Sequence, residues 1–253
     1  MGHIYSKYLS YFGMKWEYYD PYIPGSVNSL TNLKQYSHII ISSPSDTHYE
    51  CYTKVMELGF NGYLYIDKPI VICKDHLHVF EYDKLFCGMT ERYNPVVIEL
   101  KEILNPDNLT SLRFTRYSTY NTEIPVIFDL GIHDLDIYLQ CMNIDELPII
   151  CDVFEKTHNQ CIVAKQNNIL STFEWSHESH KRERKIIALQ KDAVYEVNMI
   201  DQTILAYEDM GVIRNLHINK TQPIREVIYD FIQGKSLDAK LSHQFMFQLI
   251  GEK

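Results

Sequence analysis

The chain has 253 residues and a formal net charge of −9 at neutral pH, with 45% hydrophobic and 23% charged residues. This composition is typical of a globular protein of one large or two modest domains, and the negative charge argues against a nucleic-acid or anionic-membrane surface. The sequence shows no apolar run near the ~18 residues of a membrane span, no signal-peptide pattern and no Cys-x-x-Cys pair among its six cysteines, so we expect a cytoplasmic chain without zinc knuckles or disulfides.

The first ninety-odd residues alternate between helical and strand-like patterns. Apolar residues at helical spacing predict helices over residues 3–12 and 49–58, which end at Gly13 and Gly59. Strands are predicted over residues 15–19, 38–42, 62–66 and 85–89. Short buried strands that alternate with helices are typical of a parallel, doubly wound sheet, so we expect an α/β fold in this part of the chain.

Several residues with functional side chains or special backbone geometry follow the carboxyl ends of these strands. They are Asp20, Ser43, Pro44, Lys68 and Arg92. In a doubly wound sheet, ligands bind in the crevice outside the carboxyl ends of the strands. The sequence therefore predicts a functional edge of the sheet at these residues.

The second half of the chain has a different pattern. Strand-like runs occur at residues 112–117, 149–155, 160–165, 169–175, 184–189 and 193–197. Helices are predicted over residues 129–142 and 222–233, the second ending at Gly234. This combination predicts an α+β domain with a broad, mostly antiparallel sheet. We expect the domains to span residues 1–95 and 96–253.

The segment 128–137, Phe-Asp-Leu-Gly-Ile-His-Asp-Leu-Asp-Ile, combines charged and apolar residues in one predicted helix. It places Asp129, His133 and Asp136 on one face, at positions i, i+4 and i+7. A histidine between two carboxylates on a buried helix is a proton-handling group or a metal ligand, or else a core histidine satisfied by a neighbouring aspartate. The stretch from His177 to His180 is interpreted as a solvated loop or edge, since positions three apart on a strand face opposite sides.

Four motifs occur together in a defined order. They are Ser-Pro-Ser-Asp-Thr-His (43–48), Asp-Lys-Pro (67–69), Gly-Met-Thr-Glu-Arg-Tyr-Asn-Pro (88–95) and Asp-Leu-Gly-Ile-His-Asp-Leu-Asp (129–136). Over nearly the whole chain, from Gly2 to Gly234, this order and spacing resemble the glucose-fructose oxidoreductase / inositol dehydrogenase / rhizopine-catabolism family of NAD(P)-dependent sugar oxidoreductases. The resemblance implies a Rossmann-type dinucleotide-binding domain followed by a domain for substrate and oligomerisation. The last motif is most like members that act on nucleotide-linked or amino sugars.

The resemblance implies catalytic roles for three residues. Lys68 matches the family's lysine beside the nicotinamide, where it would hold or relay a proton; the alternative is a solvated turn lysine. His133 matches the residue that takes the hydroxyl proton while the carbon gives hydride to the cofactor, and Asp129 would orient the sugar or the imidazole. Asp136 would support His133 or simply pair structurally, and Pro69 is expected to follow a cis bond.

The resemblance also implies contacts with the cofactor. The cofactor-binding residues are expected to be Gly2, Asp20, Ser43, Pro44, His48, Asp67, Lys68 and Arg92. Asp20 would accept a hydrogen bond from a ribose 2′-hydroxyl, which favours NAD over NADP, or it belongs to an Asp-Pro turn. His48 and Asp46 could cap a helix as easily as contact cofactor, and Arg92 is either near the nicotinamide or in a surface ion pair.

The start of the chain departs from the family pattern. The family opens with a strand and a Gly-x-Gly-x-x-Gly loop that holds the pyrophosphate, whereas here Gly2 falls on the last glycine and Met1 precedes it. The first Rossmann strand is therefore missing, which would leave sheet edges with unpaired backbone groups. Either the chain lacks its true start, or it is a remodelled relative that does not hold a dinucleotide.

The expected function is an NAD(P)-dependent oxidoreductase that exchanges hydride with a hydroxyl or keto carbon of a sugar or nucleotide sugar. A non-catalytic relative that binds a sugar or a partner is the main alternative, and a metal hydrolase using Asp129, His133 and Asp136 is a third. We expect no metal site and no nucleic-acid or membrane partner. By analogy, a homodimer or homotetramer that associates through the broad sheet is expected.

Overall fold

The computed structural model describes residues 2–23, 26, 30, 33–119, 124–156, 158–208 and 211–251. Met1, which precedes the predicted last glycine of the phosphate loop, lies outside the described residues. The chain divides into two compact units, one formed by Met1–Met89 with Ile224–Lys240 and the other by Thr90–Pro223 with Leu241–Lys253. These units differ from the predicted domains at residues 1–95 and 96–253, because the segment 224–240 returns to the first unit.

Helices and strands alternate at first, and strands then predominate. In the described residues the helices are α1 (Gly2–Tyr11), α2 (His48–Glu57), α3 (Pro95–Ile103), α4 (Ile132–Met142), α5 (Pro223–Ile232) and α6 (Lys240–Leu249). The strands are β1 (His38–Ile41), β2 (Tyr63–Asp67), β3 (Leu85–Gly88), β4 (Leu109–Tyr117), β5 (Ile149–Lys156), β6 (Asn159–Gln166), β7 (Ile169–Ser176), β8 (Glu183–Gln190), β9 (Val194–Asn198), β10 (Thr203–Glu208) and β11 (Val212–Leu216). Within these described ranges, no helix is long and apolar enough to cross a membrane.

The first unit contains a three-stranded parallel sheet in the order β1–β2–β3. Its central strand carries a run of large apolar side chains that can be covered on both faces, and Leu64, Tyr65 and Ile66 are fully buried. The register pairs Ile41 with Ile66 and Ile66 with Cys87, so the three carboxyl ends lie at the same edge. The predicted parallel α/β sheet is confirmed.

The predicted strand at residues 15–19 is wrong, since residues 14–20 are irregular. A strand persists where a neighbouring strand satisfies its backbone groups, and in the described part of the chain β1 pairs with β2 alone. At the other side of the sheet, Leu237 forms a parallel bridge to Phe86, and the Cys87 N–H donates to the Leu237 carbonyl at 2.9 Å. This bridge pairs the segment 224–240 with β3.

The second unit contains an eight-stranded sheet in the order β11–β10–β9–β8–β4–β7–β6–β5. Neighbouring strands are antiparallel except β4 and β7, which are parallel, so the predicted broad, mostly antiparallel sheet is confirmed. Helices α4 and α6 cover one face, where the Tyr138 ring packs edge-on against Phe114 and Phe173 and lies 5.9 Å from the Phe245 ring. This aromatic core packs against α4 through Tyr138, and α4 contains most of the 128–137 segment.

Candidate active site

His48 joins the loops that follow β1 and β2. Its side chain is buried, with Nδ1 2.7 Å from the Pro69 carbonyl oxygen and Nε2 2.8 Å from the Ser43 carbonyl oxygen. A carbonyl only accepts hydrogen bonds, so each carbonyl oxygen is placed to accept one from the ring nitrogen that it faces. The N-cap of α2 is Thr47, and His48 therefore ties two loops together instead of capping the helix.

Asp67, at the end of β2, is held from two directions. Its Oδ2 accepts a hydrogen bond from the Tyr5 hydroxyl at 2.9 Å, and its Oδ1 accepts one from the Lys68 backbone N–H at 2.9 Å. The hydroxyls of Tyr5 and Tyr65 are 3.2 Å apart, and burial raises the pKa of both tyrosines, so both remain protonated donors. The Lys68–Pro69 bond that follows is cis, as the resemblance implies.

Helix α1 begins at the same edge of the first sheet. A Cβ built on Gly2 would lie 3.4 Å from the Ser42 hydroxyl oxygen, so the helix N-terminus lies beside the residue that follows β1. The structure thus gathers six of the predicted cofactor residues at this edge: Gly2, Ser43, Pro44, His48, Asp67 and Lys68. A helix N-terminus attracts anions, so this edge suits a phosphate-bearing ligand. The roles of the six residues in binding a cofactor stay predictions.

Asp20 lies in a turn. Its Oδ1 accepts a hydrogen bond from the Tyr22 N–H at 2.9 Å, and its carbonyl accepts one from the Ser26 hydroxyl at 2.9 Å. This is the Asp-Pro turn considered from the sequence. Because residues 15–19 form no strand, Asp20 does not follow a strand end, and its contact with a ribose stays a prediction.

Arg92 forms a bidentate ion pair with Asp136. Its Nε lies 2.7 Å from Oδ2 and its Nη2 lies 2.6 Å from Oδ1, while the Ser242 hydroxyl donates to Oδ1 at 2.6 Å. The carboxylate side chain is 2% exposed and the arginine side chain 18%, so this is a largely buried pair of the strong, planar kind. Asp136 therefore has the structural pairing that the sequence left open, and the cofactor contact of Arg92 stays a prediction.

A buried ion network that sequence reasoning missed fixes the residue next to His133. Arg116 is 1% exposed; its Nη2 lies 2.6 Å from Asp134 Oδ1 and its Nη1 lies 3.0 Å from Glu91 Oε1. Arg184 also reaches Glu91 Oε1, at 2.6 Å. Burial opposes the ionisation of Glu91, but the two arginines outweigh it and hold the pKa of this carboxyl below its ordinary value.

The chain enters α4 through a wide π turn, so the helix predicted over residues 129–142 is continuous, but its first turn is π instead of α. The turn spans Ile127–Gly131, and a Cβ on Gly131 would lie 2.8 Å from the Trp175 ring. Glycine therefore permits the turn to pack directly against β7. A π turn bonds residue i to i+5, and Asp129 lies in this turn, four residues before His133 in the first turn of α4.

Asp129 is paired with His177. The Nε2 of His177 lies 3.2 Å from Asp129 Oδ2, and the His177 backbone N–H donates to the His158 carbonyl at 2.9 Å. The solvated-loop interpretation is wrong for His177, which is 3% exposed, although His180 is exposed. The missed signal is strand alternation, because burial recurs at every second residue of β7 and His177 continues that pattern.

His133 lies in the first turn of α4 and is 8% exposed, while the Asp129 side chain is 32% exposed. The predicted proton acceptor is thus largely shielded and the predicted orienting carboxylate is accessible. In the part of the chain that the structure describes, no group of three or more His, Cys, Asp or Glu side chains is arranged to hold a metal ion.

The fold of this chain combines a parallel sheet, whose central strand leads into Asp-Lys-cis-Pro, with a separate broad mixed sheet. Three solved structures with this fold show the range of the likeness. UDP-N-acetylglucosamine 3-dehydrogenase from Acidithiobacillus ferrooxidans is 15% identical, with a TM-score of 0.75 over 98% of this chain and 84% of that one. A levoglucosan dehydrogenase, solved with NADH and levoglucosan, is 11% identical, with a TM-score of 0.74 over 99% and 85%.

The third is a 3-ketoreductase from Actinomadura kijaniata, solved with TDP-benzene and NADP. It is 10% identical, with a TM-score of 0.73 over 97% of this chain and 83% of that one. No protein-family model and no curated protein sequence matches the chain. At these identities the likeness establishes the fold, and the fold that the four sequence motifs implied is confirmed.

Proposed function

We propose that the chain is an NAD(P)-dependent oxidoreductase that exchanges hydride with a hydroxyl or keto carbon of a sugar or nucleotide sugar. The observation that carries this proposal is the fold itself, which is shared over nearly the full chain with enzymes named for such substrates. The side chains that the reaction needs, Lys68, Asp129 and His133, stand at positions that match the family motifs.

The residues at the edge of the first sheet fit a nicotinamide cofactor. The N-terminus of α1 at Gly2 supplies backbone N–H groups for a phosphate, and the loops tied by His48 present polar backbone beside Lys68. When bound there, the nicotinamide supplies the hydride exchange with the substrate carbon. NAD is proposed over NADP because the carboxylate of Asp20 would repel a 2′-phosphate.

The protein's contribution to the reaction is proton transfer and orientation. Oxidation of a secondary alcohol releases the hydroxyl proton as the hydride leaves carbon, and His133 accepts that proton; in the reverse direction it returns the proton to the carbonyl oxygen. Lys68 holds or relays the proton, the role that the family resemblance implies for it. Asp129, with its accessible carboxylate, orients a neighbouring sugar hydroxyl.

The proposal is tested by fluorescence titration of the purified chain with NADH, followed by turnover with a panel of sugars and nucleotide sugars that includes UDP-N-acetylglucosamine. We expect saturable NADH binding and oxidation of at least one secondary hydroxyl. Absence of any measurable NADH affinity would remove the enzyme interpretation for this chain.

A second candidate is a non-catalytic relative that binds a sugar. It is favoured by one observation, the irregular conformation of residues 14–20, which leaves Asp20 in its own turn. Calorimetry of a protein of this kind shows sugar binding without added dinucleotide. When the dinucleotide is added, the sugar is not turned over. The first candidate predicts turnover of the sugar once the dinucleotide is added.

A further inference from the structure

We propose that His177 is a positioning residue that fixes the carboxylate of Asp129 for substrate binding, an inference that rests on the proposed function. The Nε2 and Oδ2 atoms of the two side chains are 3.2 Å apart. The imidazole side chain is fully buried, whereas 32% of the Asp129 side chain is exposed. The carboxylate therefore reaches solvent while its orientation is set from inside the protein.

The sheet determines where the His177 ring lies. Its backbone N–H donates to the His158 carbonyl at 2.9 Å, which extends the pairing of β6 and β7 beyond Asn159 and Ser176, the last pair in their register. Because side chains alternate along a strand, His177 falls on the same side as the buried Trp175. The geometry of the strand therefore positions the imidazole of His177 beside Asp129.

The turn that carries Asp129 is fixed against that strand. Trp175 Nε1 donates to Asp134 Oδ2 at 3.0 Å, and Arg116 Nη2 holds Asp134 Oδ1 at 2.6 Å. Gly131 allows the turn to approach the indole ring directly. These contacts lock the strand and the turn together, which is the support that a preorganised functional group requires.

The hydrogen bond between His177 and Asp129 has a defined donor and acceptor. A carboxylate only accepts hydrogen bonds, so Nε2 of His177 carries the proton and donates to Asp129. With one oxygen held in this way, the side chain keeps a single orientation toward the substrate hydroxyl. Loss of that bond frees the carboxylate, and a small misplacement of an orienting group lowers turnover sharply.

Two substitutions separate positioning from mere packing. His177→Gln keeps an N–H donor at a similar reach, and His177→Leu fills the space without one. We expect His177→Leu to lower kcat about 10- to 100-fold with unchanged NADH affinity, and His177→Gln to recover most of that loss. His180→Leu, at an exposed position three residues further along the chain, is the matched control and should retain wild-type kcat. Two results would overturn the proposal. One is an equal kcat in the two His177 variants, and the other is a fall in kcat that is fully explained by the fraction of each variant that is unfolded.

A second readout does not depend on turnover. Nitrogen-15 spectra of the wild-type ring should show Nε2 protonated, and Asp129→Asn should shift the His177 signals while those of His180 stay in place. If the wild-type chain oxidises no sugar, the proposed function fails, and these spectra still decide the pairing. His177 signals that do not respond to Asp129→Asn overturn the inference.

Discussion

Gly131 and Trp175 are in direct contact, because a Cβ added to the glycine would come within 2.8 Å of the indole ring. The contact lies between the wide turn that carries Asp129 and the strand that ends beside His177. Because Gly131 has no side chain, the turn that carries Asp129 lies close to the strand that ends beside His177.

Gly131→Ala should destabilise the protein and weaken the Asp129–His177 contact. The nearest atoms belong to a bulky, fully packed ring instead of the tip of a flexible side chain, so the turn or the strand must shift. Overpacking of this kind costs about 1–3 kcal/mol, measured as the free energy of unfolding in urea.

A double-mutant cycle with Trp175→Phe provides the control. Phenylalanine lacks the part of the indole that meets the added Cβ, so Gly131→Ala should cost less in the Trp175→Phe background than in the wild type. Strict additivity of the two substitutions would show that the glycine does not serve this close approach.

Arg116→Met should be one of the most destabilising substitutions in the second unit. Removing this buried cation leaves Asp134 and Glu91 in the interior with less compensation, which typically costs about 3–5 kcal/mol. The matched control is Arg214→Met, which breaks the exposed pair of Arg214 with Glu208 and should cost under about 1 kcal/mol. A similar loss of unfolding free energy in the two variants would contradict the interpretation that the Arg116 ion pairs are buried and stabilising.

Glu91 should make stability depend on pH in the acid range. Its pKa in the folded protein is below the ordinary value of 4.5, so near that pH the unfolded chain binds more protons than the native one. Its contribution is complete above the unfolded pKa and is lost as pH falls through the folded pKa. The difference in unfolding free energy between wild type and Glu91→Gln should therefore narrow from about pH 7 to about pH 3. A constant difference across that range would contradict the ion pairs.

Local patterns were sufficient for most of the architecture. Apolar runs of four to eight residues predicted the strands that became β1, β2 and β3, because a short strand buried on both faces leaves little choice of residue. Alternation predicted strands such as β7 for the same physical reason, since one face is buried and the other is wet. The order of four motifs then predicted the fold that the solved structures share.

Features that depend on distant partners were not predictable in this way. Residues 15–19 have strand-like composition but no paired neighbour in the described chain, and β11 is exposed along most of its length, so it carries little alternation. The π turn at Ile127–Gly131 packs against Trp175, about 45 residues away in the chain. Arg116 and Asp134 also find each other only in the folded sheet.

The proposed role of His133 as the proton acceptor during hydride transfer is tested most directly by one comparison. Wild type and His133→Asn are measured side by side for kcat with a substrate found in the sugar panel and for NADH affinity by titration. The account predicts a fall in kcat on the order of 10²–10⁴ with nearly unchanged NADH affinity. Equal kcat in the two proteins would contradict it.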